Sequence, residues 1–241
     1  MMKQGEIIDG FTPPPHPRGI TLSGHLVRLE PLHADTHAES LYSANALDSA
    51  GDNWTYLPYG PFEDAASYTD WVETQAGGDD PVFFVIIRLS DARPVGVASY
   101  LRIHPDDASI EVGHIHFSPL LQQTTGATEA MYLMMKWAFE AGYRRYEWKC
   151  NALNIKSRNA AQRLGLSYEG VFRQMSVQKG RNRNTAWFAA IDKEWPALKS
   201  CFETHLHADN FDAQGRAKTS LSTLTSPHLF KRDTLEFSLA V

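Results

Sequence analysis

Three stretches of this chain carry residue types and spacings that can do chemistry. The apolar run IEVGHIHF (110–117) holds Glu111, His114 and His116. The two histidines are two apart, so on a strand they share a face, where one can relay a proton or both can be structural. The polar turn Gln122-Gln123-Thr124-Thr125-Gly126-Ala127 lies between that run and the helical pattern GATEAMYLMMKWAFEA (126–141). A helix start offers unpaired N–H donors and the positive end of the dipole, the setting in which pyrophosphates bind. The competing reading of the turn is a plain strand-to-helix connection. In the third stretch Ser157, Ala160, Ala161 and Leu164 share one helical face at i, i+3, i+4 and i+7. An ordinary capped helix accounts for Asn154 as N-cap and Gly165 at the C-terminus, but not for a serine on the apolar face.

Other candidates read more simply. The segment WTYLPYGPF (54–62) is a proline-broken aromatic loop. Its Trp54, Tyr56, Tyr59 and Phe62 either wall a substrate pocket or pack helices onto a sheet. Arg181 and Arg183 in GRNRNTAWF (180–188) read as a solvated hairpin tip, with attraction of an acidic substrate or a ribosomal surface as the alternative. His205, His207 and Asp209 lack a further ligand at a telling spacing, so they read as surface and no metal site is expected.

The elements that must position these residues follow from periodicity. GHLVRLE (24–30) alternates as a strand, and helical spacing follows over 33–47 and 63–76. VFFVIIRL (82–89) suits a strand buried on both faces, and strands over 94–104 and 110–117 complete an antiparallel meander. After the 126–141 helix come a strand over 143–150, a helix from Asn154 through Gln162, and strands over 168–178 and 185–192 joined by the GRNRN turn. A helix is expected over 196–207. This order predicts an α/β (α+β) fold with a mixed, mostly antiparallel twisted sheet flanked by helices. Residues 1–22 form a Pro-rich arm lying over a domain spanning 23–195. Residues 196–241 are a C-terminal helix and an irregular tail.

Composition bounds the function. With 241 residues, 43% of them hydrophobic, the chain can bury one large core. A net charge of −5 gives no global pull toward nucleic acid or anionic membrane. Cys150 and Cys201 stand at no metal-like spacing and read as reduced thiols. No apolar run reaches the ~20 residues needed to span a bilayer, and the N-terminus lacks an apolar core of signal-peptide length. The expected location is the cytoplasm.

Two motifs resemble those of the GNAT superfamily N-acetyltransferases, in their RimJ/RimL-like branch. The pyrophosphate signature Gln/Arg-x-x-Gly-x-Gly/Ala is matched by Gln122 and Ala127, with Thr125 where the family has glycine and a glycine at 126. Ala-Thr-Glu-Ala (127–130) looks like the opening of the same helix in that branch. Asn154-x-x-Ser157, Leu164-Gly165-Leu166 and Glu169-Gly170 resemble its N-x-x-S…L-G-F-x-x-E-G motif. The resemblance covers residues 22–195 and implies acetyl-CoA as co-substrate and direct attack by a primary amine, on a small molecule or a protein N-terminus.

The implied acetyl-CoA contacts are Phe117, Ser118, Gln122, Gln123, Thr124, Thr125, Gly126, Ala127, Thr128, Asn154, Ser157 and Ala160, with a backbone N–H of Phe117 or Ser118 as oxyanion donor. Ser157 is the implied acid toward the thiolate, and Tyr168 a weaker candidate. Glu111, eleven residues before Gln122, is the implied base unless it is structurally paired with an arginine. His114 is the second candidate for moving a proton. Trp54, Tyr56 and Tyr59 would face the acceptor. Thr125, β-branched and averse to φ > 0, keeps open a non-catalytic acyl-CoA-binding module. An aminoacyl-tRNA donor is disfavoured by the weak basic character. The arm and tail offer surfaces for a homodimer.

Overall fold

The computed structural model describes residues 2–235. A two-residue strand β1 (Leu22–Ser23) turns into β2 (Val27–Pro31), and two helices follow, α1 (Ala34–Asn45) and α2 (Ala65–Gln75). The meander is β3 (Val82–Arg88), β4 (Arg93–His104) and β5 (Ser109–Phe117). Helix α3 (Thr125–Glu140) leads to β6 (Arg145–Asn151), and α4 (Ile155–Arg163) leads to the hairpin β7 (Ser167–Gln178) and β8 (Arg181–Ile191). Helices α5 (Trp195–Leu206) and α6 (Leu221–Thr225) follow.

The strands form one sheet in the order β1-β2-β3-β4-β5-β6-β8-β7. Every neighbouring pair is antiparallel except β5 and β6, whose parallel pairing requires the crossover that α3 provides. Alternation along β3 shows why its sequence is apolar throughout. Val82, Phe84 and Ile86 face a core shared with α3 and α5, while Phe83, Val85 and Ile87 face a second core under α1 and α2.

Of the expected GHLVRLE strand, residues 27–30 are strand, in β2, and the segment before them turns back into β1. Gly24–Leu26 form the turn, because the buried Glu129 carboxylate accepts the N–H groups of His25, Leu26 and Val27 at 2.9, 2.7 and 2.9 Å. A Cβ on Gly24 would collide with that carboxylate. A second correction concerns GRNRN. The turn is only Lys179-Gly180, both at positive φ (48° and 71°), as a two-residue hairpin turn of type I′ requires. Arg181–Asn184 therefore belong to β8.

Both ends of the described residues pack on the domain, and residues 236–241 of the expected tail lie outside them. Pro14 and Pro17 are buried, and the Tyr143 hydroxyl donates to the Pro15 carbonyl at 3.2 Å. In the tail, Leu221 joins the main core, and Tyr168 donates its N–H to the Lys231 carbonyl. The Asp233 carboxylate receives Arg158 Nε and Nη2 at 2.6 Å each, with both side chains at most 1% exposed. Arg158 Nη1 donates to the Ala152 carbonyl. Removing one partner of such a buried pair strands the other charge. Asp233→Ala is therefore expected to lower unfolding stability by about 3–5 kcal/mol, read from the denaturant midpoint, whereas Ala substitution of the exposed His207–Asp209 pair shifts it little.

Candidate functional site

The site is built where two parallel strands part. β5 pairs with β6 only from Ser109↔Arg145 to Val112↔Trp148. Past that point β5 stays with β4, through Val97↔His116 and Gly96↔Phe117, while β6 stays with β8 as far as Asn151↔Thr185. The irregularity sits at His114, which has φ of 49° inside a shifted β4–β5 register, and a bulge of this kind bends its strand. Ser118 gives its N–H to the Val95 carbonyl on the β4 side. Alternation along the extended strand then turns the Phe117 N–H the other way, into the gap.

Ser118 itself is a correction. It is fully buried, and its hydroxyl donates to the same Val95 carbonyl at 2.6 Å, so it has no donor left for a ligand. At the end of β5 the chain turns into α3. Gln122 Nε2 donates to the Phe117 carbonyl at 2.8 Å, and Thr124 caps α3 by accepting the Ala127 N–H at 3.1 Å. The positive φ of the loop falls on Gln123 (59°), and Thr125 is simply the first helical residue. The misfit with glycine is thereby resolved, since no backbone strain is asked of a β-branched side chain. The N–H groups of Gln123, Thr125 and Gly126 have no partner among the described residues, and Gln123 and Thr124 are exposed. Gly126 packs against Val27, and Thr128 is buried, accepting from Arg163 Nη2 at 2.9 Å. Arg163 had no sequence signal of its own.

Across the gap, Asn154 Oδ1 accepts the Ser157 N–H at 3.1 Å and caps α4. Ala160 is half-buried against the main core. Trp148 Nε1 donates to Ser157 Oγ at 3.0 Å. With that acceptor position filled by an indole, the serine's own hydrogen is the one it can donate, and the Cys150 sulfur is a partner within its reach. Cys150 lies close by, its thiol pushed up to about 11 by burial.

Glu111 lies on the opposite face of the sheet and is 3% exposed. It pairs with Arg102 Nη1 at 2.7 Å and Lys149 Nζ at 2.8 Å, which is the structural pairing with an arginine that competes with a base role. Burial pushes its carboxyl above the usual range against the pull of these two cations. The same face carries His114, whose Nδ1 lies 3.1 Å from the Tyr59 hydroxyl, and His116, whose ring stacks on Trp54 with centroids 3.7 Å apart. Burial drives both histidines down to about 4, so both are neutral at pH 7. Trp54, expected to face the acceptor, is 5% exposed and belongs to the core under α1 and α2. Tyr56 and Tyr59 are half-buried, and the Tyr56 hydroxyl donates to the Leu153 carbonyl just before α4. The β7–β8 tip closes the same side. Lys179 Nζ donates to the carbonyls of Trp54 and Gly60 at 2.9 and 2.7 Å, and Gln178 Nε2 to that of Tyr56 at 3.2 Å.

Comparison with known proteins gives a consistent picture. Residues 27–167 match the acetyltransferase (GNAT) domain family. A crystal structure of a GCN5-related N-acetyltransferase from Brucella melitensis is 40% identical, with TM-score 0.88, over 91% of this chain and 100% of that one. A probable GNAT-family acetyltransferase from Chromobacterium violaceum ATCC 12472 is 37% identical, with TM-score 0.76, over 82% and 98%. The uncharacterized N-acetyltransferase YnaD of Bacillus subtilis (strain 168) is 26% identical over 143 residues, 58% of this chain and 81% of its own.

The buried histidines make stability acid-sensitive. As pH falls from 6.5 toward 4, the unfolded chain takes up a proton that native His116 refuses, so native stability is lost across that window. His116→Phe keeps a ring against Trp54 and removes the titration. It is expected to shrink the stability difference between pH 7 and pH 4.5 by on the order of 2–3 kcal/mol, and an unchanged difference in denaturation midpoints rules out this origin.

Proposed function

This chain belongs to the GNAT acetyltransferase family, and from that premise we propose that it transfers the acetyl group of acetyl-CoA to a primary amine, as a cytoplasmic enzyme of the RimJ/RimL-like branch. The observation that carries the reading is the set of unpartnered amides at Gln123, Thr125 and Gly126. They stand at the start of a 16-residue helix, beside the gap that leads to Ser157. Three unpartnered N–H donors and a helix dipole suit a diphosphate. Among the described residues no helix is long and apolar enough to cross a membrane.

Acetyl-CoA supplies an activated thioester; the protein supplies position and protons. Gln123, Thr125 and Gly126 hold the diphosphate end, with Gln122, Thr124, Ala127 and Thr128 shaping the loop. The Phe117 N–H donates to the acetyl carbonyl oxygen as it gains charge. Ser157, oriented by Trp148 and Asn154, donates its hydroxyl hydrogen toward the departing sulfur, and Ala160 leaves room for the pantetheine arm. Glu111 takes the amine proton, with its charge and orientation set by Arg102 and Lys149. His114, neutral and held by Tyr59, is placed to pass that proton along the same face. The acceptor approaches between Tyr56, Tyr59 and the β7–β8 hairpin.

Thiol release from acetyl-CoA across an amine panel tests this. Ser157→Ala is expected to lower kcat by about 10-fold or more and Glu111→Gln to lower kcat/KM by about 100-fold, while the KM for acetyl-CoA stays within about threefold in both. Parent-level turnover in both variants, or no acetyl-CoA binding by calorimetry, refutes the reading. Because burial raises the Glu111 carboxyl, the acid limb of kcat/KM should lie above the ordinary carboxylate range, with activity rising as pH increases through it.

A further inference from the structure

The charged groups on the Glu111 face are paired almost throughout. Arg102 and Lys149 share Glu111, Lys149 also meets Glu147 at 2.7 Å, and Arg145 holds Glu147 and Glu169. Arg183 breaks the pattern. It is half-buried in β8 and not at a solvated tip. Its Nη1 donates to Gln178 Oε1 at 2.9 Å, a neutral partner. Its Nε is shielded from solvent and has no partner, and among the described residues no carboxylate pairs with the guanidinium.

We infer that the acceptor amine also carries a carboxylate, and that Arg183 binds it. The inference rests on the transferase reading for the identity of the ligand, but on this chain's own geometry for the charge. A half-buried cation without a counter-ion is costly unless a ligand brings one. Burial already presses the Arg183 guanidinium downward, which an arriving anion would offset. The position says which ligand brings it. Arg183 lies two residues before Thr185, which pairs with Asn151 at the end of β6, and it shares a strand face with Trp187, whose ring lies under Lys149 Nζ; this sets it on the Glu111 face at the open end of the β5–β6 gap.

The diphosphate end of the donor belongs at the Gln123–Gly126 amides, and its thioester end is uncharged. The anion at Arg183 therefore comes with the acceptor. The guanidinium is also prepared for it. Gln178 occupies Nη1 and is itself fixed to the Tyr56 carbonyl, so Nη2 is left for a charge-assisted carboxylate contact. Amino acids, or peptides with a nearby acidic group, are the matching class.

Calorimetric titration of the full chain with CoA present tests the carboxylate site without relying on turnover. The ligands are the N-acetyl derivatives of the common amino acids, of β-alanine and of γ-aminobutyrate, each as free carboxylate and as carboxamide. At least one carboxylate is expected to bind about 30-fold tighter than its carboxamide, a preference that falls to about threefold or less in Arg183→Met and is partly kept in Arg183→Lys. CoA affinity should not change. Thiol release with the corresponding free amines should show the same ranking in kcat/KM.

The inference is overturned if no carboxylate outbinds its carboxamide, or if Arg183→Met keeps the preference. It is equally overturned if Arg183→Met weakens both members of each pair alike, which marks a structural role. Carboxylate preference in binding without thiol release from any amine sinks the transferase reading and leaves the carboxylate site standing. Turnover of neutral amines with no such preference sinks this inference alone.

Discussion

A parallel pair of strands that stops pairing after four residues is the constraint on which the site depends. Backbone donors and acceptors on the parted edges of β5 and β6 cannot satisfy each other. Each strand keeps its outer neighbour, so the gap is held open by the rest of the sheet and not by a loop. The His114 bulge turns β5 away, the Phe117 N–H faces the opening, and the chain then runs straight into the start of α3. On the proposed reading, the amides proposed to hold the diphosphate, the Phe117 N–H and Ser157 line one slot because one ladder is interrupted.

The surroundings of the slot are rigid. Glu129, one turn into α3, ties that helix to the β1–β2 turn through three N–H groups. On the other side, Arg158 follows Ser157 directly and is locked by Asp233 and the Ala152 carbonyl. Both helices that flank the gap are therefore pinned by buried carboxylates from or to distant parts of the chain. Pre-organisation of this kind lets a few donors act without rearranging during the reaction.

Much of this was legible in the sequence, for local reasons. Periodicity placed the helices and the meander, because β3 is apolar on both faces and α3 carries a long apolar stripe. Capping residues placed Asn154 and the end of α4. What escaped was set by distant contacts. The β1–β2 turn exists because Glu129 lies a hundred residues later, and the tail is ordered by Arg158 and Ser167. Trp54 looked like a pocket wall and is core because His116 stacks on it. Thr125 stands where the family has glycine, but the left-handed residue of this loop is Gln123. Arg183 lies inside β8 because the hairpin turn spans two residues and not the whole polar GRNRN run.

Lys179 and Gln178 fasten β7–β8 to the aromatic loop, and Gln178 grips both the Tyr56 carbonyl and Arg183. The aromatic loop and the hairpin thus behave as one body. A replacement in the loop is transmitted to the guanidinium on the hairpin, so mutations on the two sides are epistatic. On the proposed transferase reading, new acceptors are reached through concerted changes in loop and hairpin, with single exchanges tolerated where they leave the Gln178 clasp intact.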